Sequence, residues 1–329
     1  MTYDRYYYSK LSPDGKVAYK ELYIGIQEFK KHITVQRVSG VTPDTLLRYV
    51  GLDNPHLFYV DFGCTEGFCS EKSIIYTICY WYSEPEAKEL NEKVNTTLQK
   101  MLKRVKGKTD YEKELSVHDL LVGNVCYDSS PMGLSSRGTP QTNSIVGVLF
   151  HKSAVCEGIA KVTKMLLNLL DIKCIVAYGT DTKDNVSHAW NIVKIQDQPY
   201  HLDVTWDINA SRQGFIRYDY FNLPDVAIRK GHCFVEPYPI CSSKKANYYY
   251  RNGLEATSMA DVERIVSKAI RSGGEYFAFR YRGGDNSMQK VSEQIRHTVS
   301  ATPSPTGANK VSISYSINSE QGVIGVSVY

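Results

Sequence analysis

The feature that most constrains the fold is a helical pattern that begins at a cysteine, in the stretch HKSAVCEGIAKVTKMLLNLLDIKC. Its apolar residues recur with a period near 3.6, which predicts a helix from Cys156 to Leu170 with one buried face: Ile159, Val162, Leu166 and Leu169. Cys156 then stands at the helix N-terminus, where unpaired N–H groups and the helix dipole favour thiolate over thiol. The same N–H groups could hold an oxyanion. A core cysteine has no need of that position.

Three strand patterns follow the helix, namely IKCIVAYG, HAWNIVKI and YHLDVTWD. His188 opens the second strand and Asp203 lies in the third. A cysteine nucleophile needs an imidazole within hydrogen-bond reach and a third group that orients the ring. The spacing of His188 and Asp203 is odd, so both side chains can lie on one face if the strands form a hairpin.

The register of that hairpin leaves a second acid open. A regular hairpin around the turn at residues 197–199 places Asp207, rather than Asp203, opposite His188. Asp203 would then be displaced by four residues, which is roughly 13 Å along a strand. On the residues alone, Asp207 is therefore the rival orienting acid.

Composition narrows the class of protein. The chain has 329 residues and a net charge of +4, with no dense basic block, so we expect no nucleic-acid partner. No apolar run is long enough for a membrane span, and the N-terminus lacks the pattern of a secretory leader.

The cysteines indicate a reduced protein. Cys79, Cys126 and Cys174 lie in apolar runs, which is typical of buried free thiols, and together with the missing leader this predicts a cytoplasmic location. Neither a matched pair of C-x2-C motifs nor an acidic calcium loop is present, so we expect no metal and no cofactor.

Three regions are expected along the chain. Residues 1–82 combine helices and strands, including a helix capped by Thr42 and strands at HLFYVDF and SIIYTICYWYS. Residues 83–250 contain the cysteine helix and its strands, and residues 254–329 form a small α/β domain after a polar junction. A Ser-, Gly- and Pro-rich segment at residues 129–144 is expected to be a loop, and its part from Ser129 to Gly138 is expected to border a cleft.

The segments AVCEGIAKVTKMLLNLLDIKC, SHAWNIVKI and YHLDVTWD resemble three signature blocks of the transglutaminase-like superfamily, in its bacterial branch of cysteine peptidases. YDYFNLPDVAIRKGH, VHDLLVGNVCYD and DNPHLFYVDF resemble other parts of that branch. The similarity covers about residues 10–235 and is most specific in the three blocks. The chain departs from the pattern at Ile159, where an aromatic residue often follows the glycine.

The resemblance implies an α+β, papain-like fold, in which a helix bearing the nucleophile packs on an antiparallel sheet. It implies Cys156 as nucleophile, His188 as base and Asp203, rather than Asp207, as the orienting acid. Tyr127 and Gln141 are candidates for a second oxyanion donor, and Trp190 for a position beside the substrate. Each of these three has a structural alternative: a structural tyrosine, a solvated glutamine and a core tryptophan.

Three functions are compatible with these candidate residues and with the resemblance. The first is a cysteine hydrolase that acts on peptide or other amide bonds through an acyl-enzyme. The second is an acyltransferase that passes the same acyl group to an amine. The third is a binding module that has kept the fold without turnover. A peptide or protein substrate is expected for the first two functions. The sequence gives no indication of the oligomeric state.

Overall fold

The computed structural model describes residues 4–130, 139–212, 214–284, 288–303 and 312–329. It has an α+β architecture, as the sequence predicts, with 12 α-helices, one π-helical turn and 13 strands in these residues. Half of the predicted loop at residues 129–144, namely residues 131–138, and most of the Pro-rich linker that follows Ser300 lie outside the described residues. The loop prediction is wrong at Pro140–Asn143, which form a short helix capped by the Thr139 side chain.

The N-terminal region is a small antiparallel sheet packed against helices. The sheet has the order β1-β3-β2, and β1 and β2 both pair antiparallel with β3. The elements are α1 (Tyr6–Lys10), α2 (Pro13–Gln27), β1 (His32–Gln36), α3 (Pro43–Asp53), β2 (Glu66–Cys69) and β3 (Ser73–Thr77).

Helix α3 begins where the sequence places it, because the Thr42 side chain accepts a hydrogen bond from the Thr45 N–H and Pro43 follows the cap. It continues past Gly51 to Asp53, since Gly51 is buried against the Phe62 ring rather than at the helix end. The strand predicted at residues 56–62 is wrong, because those residues form turns with a single bridge from Val60 to Tyr80.

The central part holds the cysteine helix and a four-stranded antiparallel sheet of order β8-β7-β6-β9. A π-helical turn at Gly147–His151 precedes the helix. The elements are α4 (Glu84–Leu102), α5 (Asp110–Val122), β4 (Cys126–Tyr127), α6 (Pro140–Asn143), β5 (Ser153–Ala154), α7 (Cys156–Leu169), β6 (Cys174–Asp181), β7 (Ser187–Ile195), β8 (Gln198–Leu202), α8 (Val204–Ala210), α9 (Asp225–Ile228), β9 (His232–Phe234) and α10 (Tyr248–Arg251).

Two predictions about this part are tested by the element bounds. The helix from Cys156 is confirmed, and it buries Ile159, Val162 and Leu166 completely. The third strand is shorter than predicted, because the chain leaves the sheet after Leu202 and Asp203 caps a new helix.

The C-terminal part is a second four-stranded sheet, of order β10-β11-β13-β12, with two helices packed on it. The strands β10 and β11 are parallel and the other pairs are antiparallel. The elements are β10 (Glu255–Ala256), α11 (Met259–Arg271), β11 (Tyr276–Tyr281), α12 (Met288–Ala301), β12 (Ile313–Asn318) and β13 (Val323–Val328).

The apolar interior is divided unequally. One large core runs from Leu11 to Ala246, so the N-terminal region and the central part share it. A separate core runs from Ala256 to Val328. The core is therefore interrupted near residue 254 and continuous across residue 82.

The thiols only partly follow the sequence prediction. Cys174 is fully buried, but Cys126 is exposed and Cys79 is half-buried, so the expectation that all three are buried is wrong. Cys126 lies in a two-residue strand that pairs on one side with β5, which leaves its side chain at the surface.

Candidate active site

Cys156 is the first residue of α7 and lines a cleft of about 630 Å³. The preceding residue, Val155, is extended, so the chain turns into the helix at the thiol itself. A Cβ on Gly158 would lie 2.7 Å from the backbone oxygen of Ser144, so the first turn of the helix packs directly on a neighbouring backbone. The thiol thus lies at the helix end that favours a negative charge.

His188 is the second residue of β7 and reaches the same cleft. It pairs with Gly179 of the neighbouring β6, where a side chain would collide with the Cys233 carbonyl. Only 7% of His188 is exposed, and its Nε2 lies 2.7 Å from the Oδ2 of Asp203. Nδ1 is the ring nitrogen that remains available to Cys156.

The hairpin that brings Asp203 to His188 is tighter than predicted. Its turn consists of Gln196 and Asp197, both with positive φ, so that Ile195 pairs with Gln198. A two-residue turn of this kind matches the twist of the flanking strands. The register is shifted by two residues from the one predicted, and the chain then turns at Asp203, which removes the remaining offset.

Asp203 is fully buried and is held by several donors. Its Oδ1 accepts the N–H of Trp206 at 3.0 Å, as the cap of α8, while Oδ2 faces His188. Asp207 occupies a different environment, where it contacts His118 Nε2 at 3.1 Å and accepts the Tyr220 N–H at 3.0 Å.

The electrostatics of the site favour a charged imidazole. Burial opposes a positive charge on His188, but the Asp203 carboxylate and the Cys156 sulfur outweigh it and raise the pKa of His188 to about 10. Burial also opposes ionisation of Asp203, yet His188 and His232 together hold the pKa of Asp203 well below its usual range. The two residues therefore stabilise each other as an ion pair.

His232 was not predicted from the sequence. It is the first residue of β9, it is buried, and its Nε2 lies 2.9 Å from the Asp203 Oδ2. Two histidines thus share one carboxylate oxygen. Its position in the segment YDYFNLPDVAIRKGH was part of the family resemblance, but nothing in the local pattern connects it to Asp203.

The three other predicted residues lie in different places. Tyr127 lines the cleft, and burial together with the nearby Cys156 raises the pKa of its hydroxyl to about 12. Gln141 is exposed in α6 and is not among the residues that line the cleft. Trp190 is 1% exposed, stacks on His188 with ring centres 6.0 Å apart, and donates its Nε1–H to His201 Nδ1.

Much of the rest of the cleft wall comes from the N-terminal region, which the sequence did not single out for the site. Phe62 and Trp81 contribute aromatic surface from the N-terminal region and its junction. Arg48 and Lys161 bring positive charge, each paired with a glutamate, Glu236 and Glu157 respectively. The cleft therefore lies between the N-terminal region and the cysteine helix.

Two groups of described residues have donor atoms close enough to hold a metal ion, namely His188 with Asp203 and His232, and His201 with Asp225 and Cys241. In the first group each imidazole faces the carboxylate at hydrogen-bond distance, so a metal would have to displace both protons. In the second, His201 Nε2 contacts Asp225 at 2.8 Å and its Nδ1 accepts the Trp190 N–H, so both ring nitrogens are already engaged.

Residues 99–206 match the family model of the transglutaminase-like superfamily. Over these residues the chain is similar to that superfamily. The match includes Cys156, His188 and Asp203 and confirms the resemblance drawn from the sequence, over less than half of the chain. Members of this superfamily are usually enzymes, either peptidases or acyltransferases, which supports a cysteine-dependent hydrolase or transferase in general.

Solved structures with some similarity include a TGase, at 15% identity and a TM-score of 0.31, with 43% of each chain covered. Another is a "Putative Cysteine Protease from Cytophaga hutchinsonii", at 15% identity and a TM-score of 0.28, which covers 43% of this chain and 61% of that one. The chain thus spans less than two thirds of the length of either structure. At these TM-scores we draw no further conclusion from them, and no curated protein matched the sequence.

A final observation concerns membranes. Among the described residues, no helix combines the length and the apolar character that crossing a bilayer requires.

Proposed function

We propose that this protein is a cysteine hydrolase that cleaves peptide or other amide bonds through an acyl-enzyme, with Cys156 as nucleophile. The observation that carries the proposal is the juxtaposition of Cys156 at a helix N-terminus, in an open cleft, with His188 bound to a buried Asp203 at 2.7 Å. This is the set of groups that an activated thiol requires.

Each residue has a role in the proposed reaction. The Cys156 thiolate attacks the substrate carbonyl, and the first-turn N–H groups of α7 stabilise the oxyanion. His188 transfers its proton to the leaving amine, and Asp203 keeps the ring in the required tautomer and stabilises its positive charge. Water then attacks the thioester, His188 accepts its proton, and the acid product leaves Cys156 as it began.

The cleft also supports the choice of substrate. It is open to solvent and is lined by aromatic, apolar and charged side chains, a mixture suited to an extended peptide or a protein segment. A primary amine that reached the acyl-enzyme before water would give acyl transfer from the same intermediate, so the product distinguishes the two reactions.

The test is mass analysis of a peptide mixture incubated with the protein, with and without an added primary amine. Hydrolysis predicts the same carboxylate products in both samples, whereas amine adducts in place of acids would identify a transferase. Cys156→Ala should abolish either product, and Cys126→Ala, at an exposed thiol outside the cleft lining, is the matched control. Turnover by Cys156→Ala, or failure of a thiol-directed probe to label Cys156 in the folded protein, contradicts the proposal.

A further inference from the structure

The third donor on Asp203 has no assigned role in the reaction described above. The Oδ2 atom faces His188 Nε2 at 2.7 Å and His232 Nε2 at 2.9 Å, while Oδ1 is held by the Trp206 N–H. Both oxygens of a buried carboxylate are thus fixed, from β7, β9 and the start of α8. Loss of His232 would remove one of the three groups that hold the carboxylate in place.

The His232 ring is itself firmly placed. Its side chain is 0% exposed, and it packs on the Trp206 ring at 4.2 Å between centres and edge-on against Trp190 at 4.9 Å. Gly231 makes this possible, because a Cβ there would lie 2.5 Å from the Trp206 ring. In the sheet, His232 pairs with Asp181 of β6.

The direction of the hydrogen bond between His232 and Asp203 follows from the chemistry of the two groups. Asp203 can only accept, so His232 must carry a proton on Nε2. Its buried Nδ1 has no hydrogen-bond partner among the described residues, and the His188 ring lies 5.1 Å away.

We infer that His232 is a positioning residue that acts through Asp203: its Nε2–H fixes the carboxylate so that Oδ2 stays directed at His188 and supports the charged Cys156–His188 pair. The inference rests on the proposed function. A carboxylate that lost this donor could rotate, and its excess charge would be solvated only by His188 and one backbone N–H. The imidazolium would then be held less often in the orientation that Cys156 needs.

The experiment measures the Cys156–His188 pair directly. The probe is iodoacetamide, and the rate of alkylation of the peptide that contains Cys156 is followed by mass spectrometry from pH 5 to pH 9. A thiolate held by an imidazolium reacts quickly at pH 6, where an ordinary thiol is protonated. This readout requires no substrate, and the exposed thiols of Cys64 and Cys69 serve as internal references.

Two variants separate the effect of the hydrogen-bond donor of His232 from the effect of its aromatic ring. His232→Gln keeps an N–H donor that can reach the carboxylate, and His232→Phe keeps an aromatic ring against Trp206 but has no donor. We expect His232→Phe to slow alkylation at pH 6 by about tenfold, which corresponds to a change of one unit in the apparent pKa. The alkylation rates of His232→Phe and the unmodified chain should become equal near pH 9. The rate in His232→Gln at pH 6 should stay within about threefold of that in the unmodified chain, which corresponds to less than half a pKa unit.

His201→Phe is the matched control. His201 is equally buried and stands on β8, where it contacts Trp190 and Asp225 but not Asp203. It should lower stability and leave the alkylation profile unchanged. An unchanged profile in His232→Phe, equal losses in His232→Gln and His232→Phe, or the same loss in His201→Phe would each overturn the inference. An ordinary thiol profile in the unmodified chain would overturn the proposed function as well.

Discussion

Asp203 and Asp207 lie four residues apart and are both fully buried, yet they contact different histidines. Asp203 contacts His188 at the cleft, while Asp207 contacts His118 of α5 and the backbone of Tyr220. We therefore expect them to serve different purposes, one in the proposed reaction and the other in stability.

The corresponding prediction compares two isosteric substitutions. Asp203→Asn should reduce turnover of a peptide substrate at least a hundredfold, because an amide cannot stabilise the imidazolium and can impose the wrong tautomer. Asp207→Asn should lower the free energy of unfolding by about 1–3 kcal/mol with little change in turnover, since it weakens a buried contact to His118. Kinetics and urea unfolding of both variants check this, and a larger loss of turnover at Asp207 would refute the assignment.

A second residue-scale prediction concerns Glu114 on α5. Its Oε2 accepts from Asn222 at 2.8 Å, but its buried Oε1 has no partner among the described residues. Burial raises the pKa of Glu114 to about 8 from an ordinary value of 4.5, against the opposing effects of Asn222 and His118. The folded chain therefore keeps a proton that the unfolded chain releases between these two pH values.

Stability must then fall as the pH rises through that window, because the proton is bound more tightly by the folded chain. Glu114→Gln cannot titrate, so it should become progressively more stable than the unmodified chain from pH 5 to pH 8, by at most about 1.4 kcal/mol per pH unit. Urea unfolding at pH 5, 6.5 and 8 measures this, with the exposed Glu92→Gln as control. A difference that does not change with pH would contradict it.

Candidate site residues could be recognised in the sequence where a reactive side chain stands at the start of a regular pattern. Cys156 is recognisable because a thiol opens a helical pattern, and His188 because it opens a strand after a polar loop. His232 and the contact of Asp207 with His118 were not, since both depend on how β9 and α5 pack against the turn at Asp203. Burial of two histidines on one carboxylate is a property of the tertiary structure.

At the scale of elements, the hairpin β7–β8 decides which acid reaches His188. A two-residue turn with positive φ at Gln196 and Asp197 sets its register, although neither residue is a glycine or an asparagine. The residues of the turn therefore gave no signal for this register, and the sequence favoured a later turn. The family pattern predicted Asp203 where local turn chemistry pointed to Asp207.

Helix α7 is fixed on its other side by a buried lysine. Lys164 is 0% exposed, and its Nζ donates to the backbone carbonyls of Asp4, Leu52 and Asp53 at 2.8, 3.0 and 3.0 Å. The contacts join the cysteine helix to α3 and to the start of the described chain. Burial lowers the pKa of Lys164, although the neighbouring Asp53 carboxylate opposes this.

Lys164→Met should therefore lower the free energy of unfolding by about 3–5 kcal/mol, because it leaves Asp53 and three carbonyls without their cation. Methionine has a similar length, so loss of volume contributes little. Urea unfolding checks the prediction, with Lys173→Met in the exposed loop after α7 as control. A change within about 0.5 kcal/mol, as for an ordinary surface substitution, would show that these hydrogen bonds are not required.

At the scale of the whole molecule, the C-terminal part has its own core but is joined to the rest by buried polar contacts. Arg280 of β11 is 1% exposed and donates to the Asn247 side chain at 2.7 Å and to the Asp219 carbonyl at 3.0 Å. The residue after Asp219 is Tyr220, whose carbonyl accepts the Asp203 N–H at 3.1 Å. The C-terminal sheet thus supports the backbone that carries the proposed orienting acid.

The α/β character of this part was predicted from the sequence, and its described residues form two helices and four strands. The contacts that join the C-terminal part to the rest of the chain could not be predicted from the sequence. An arginine in the strand pattern EYFAFRYR is indistinguishable from a solvated one until the partner surface is known, since burial of a guanidinium depends on acceptors far away in the chain.

The last prediction tests whether this attachment stabilises the central part. All three tryptophans, Trp81, Trp190 and Trp206, lie outside residues 254–329, so their fluorescence reports unfolding of the remainder of the chain. Arg280→Met should lower the free energy of unfolding by about 3 kcal/mol, because it leaves buried acceptors unpaired. In urea unfolding, the midpoints measured by tryptophan fluorescence and by the far-UV signal should therefore both decrease. Arg264→Met, at an exposed arginine of α11, is the matched control and should change neither midpoint appreciably. If Arg280→Met shifted the far-UV transition and left the tryptophan transition in place, the two parts would unfold independently, and the C-terminal sheet could not be a support for Asp203.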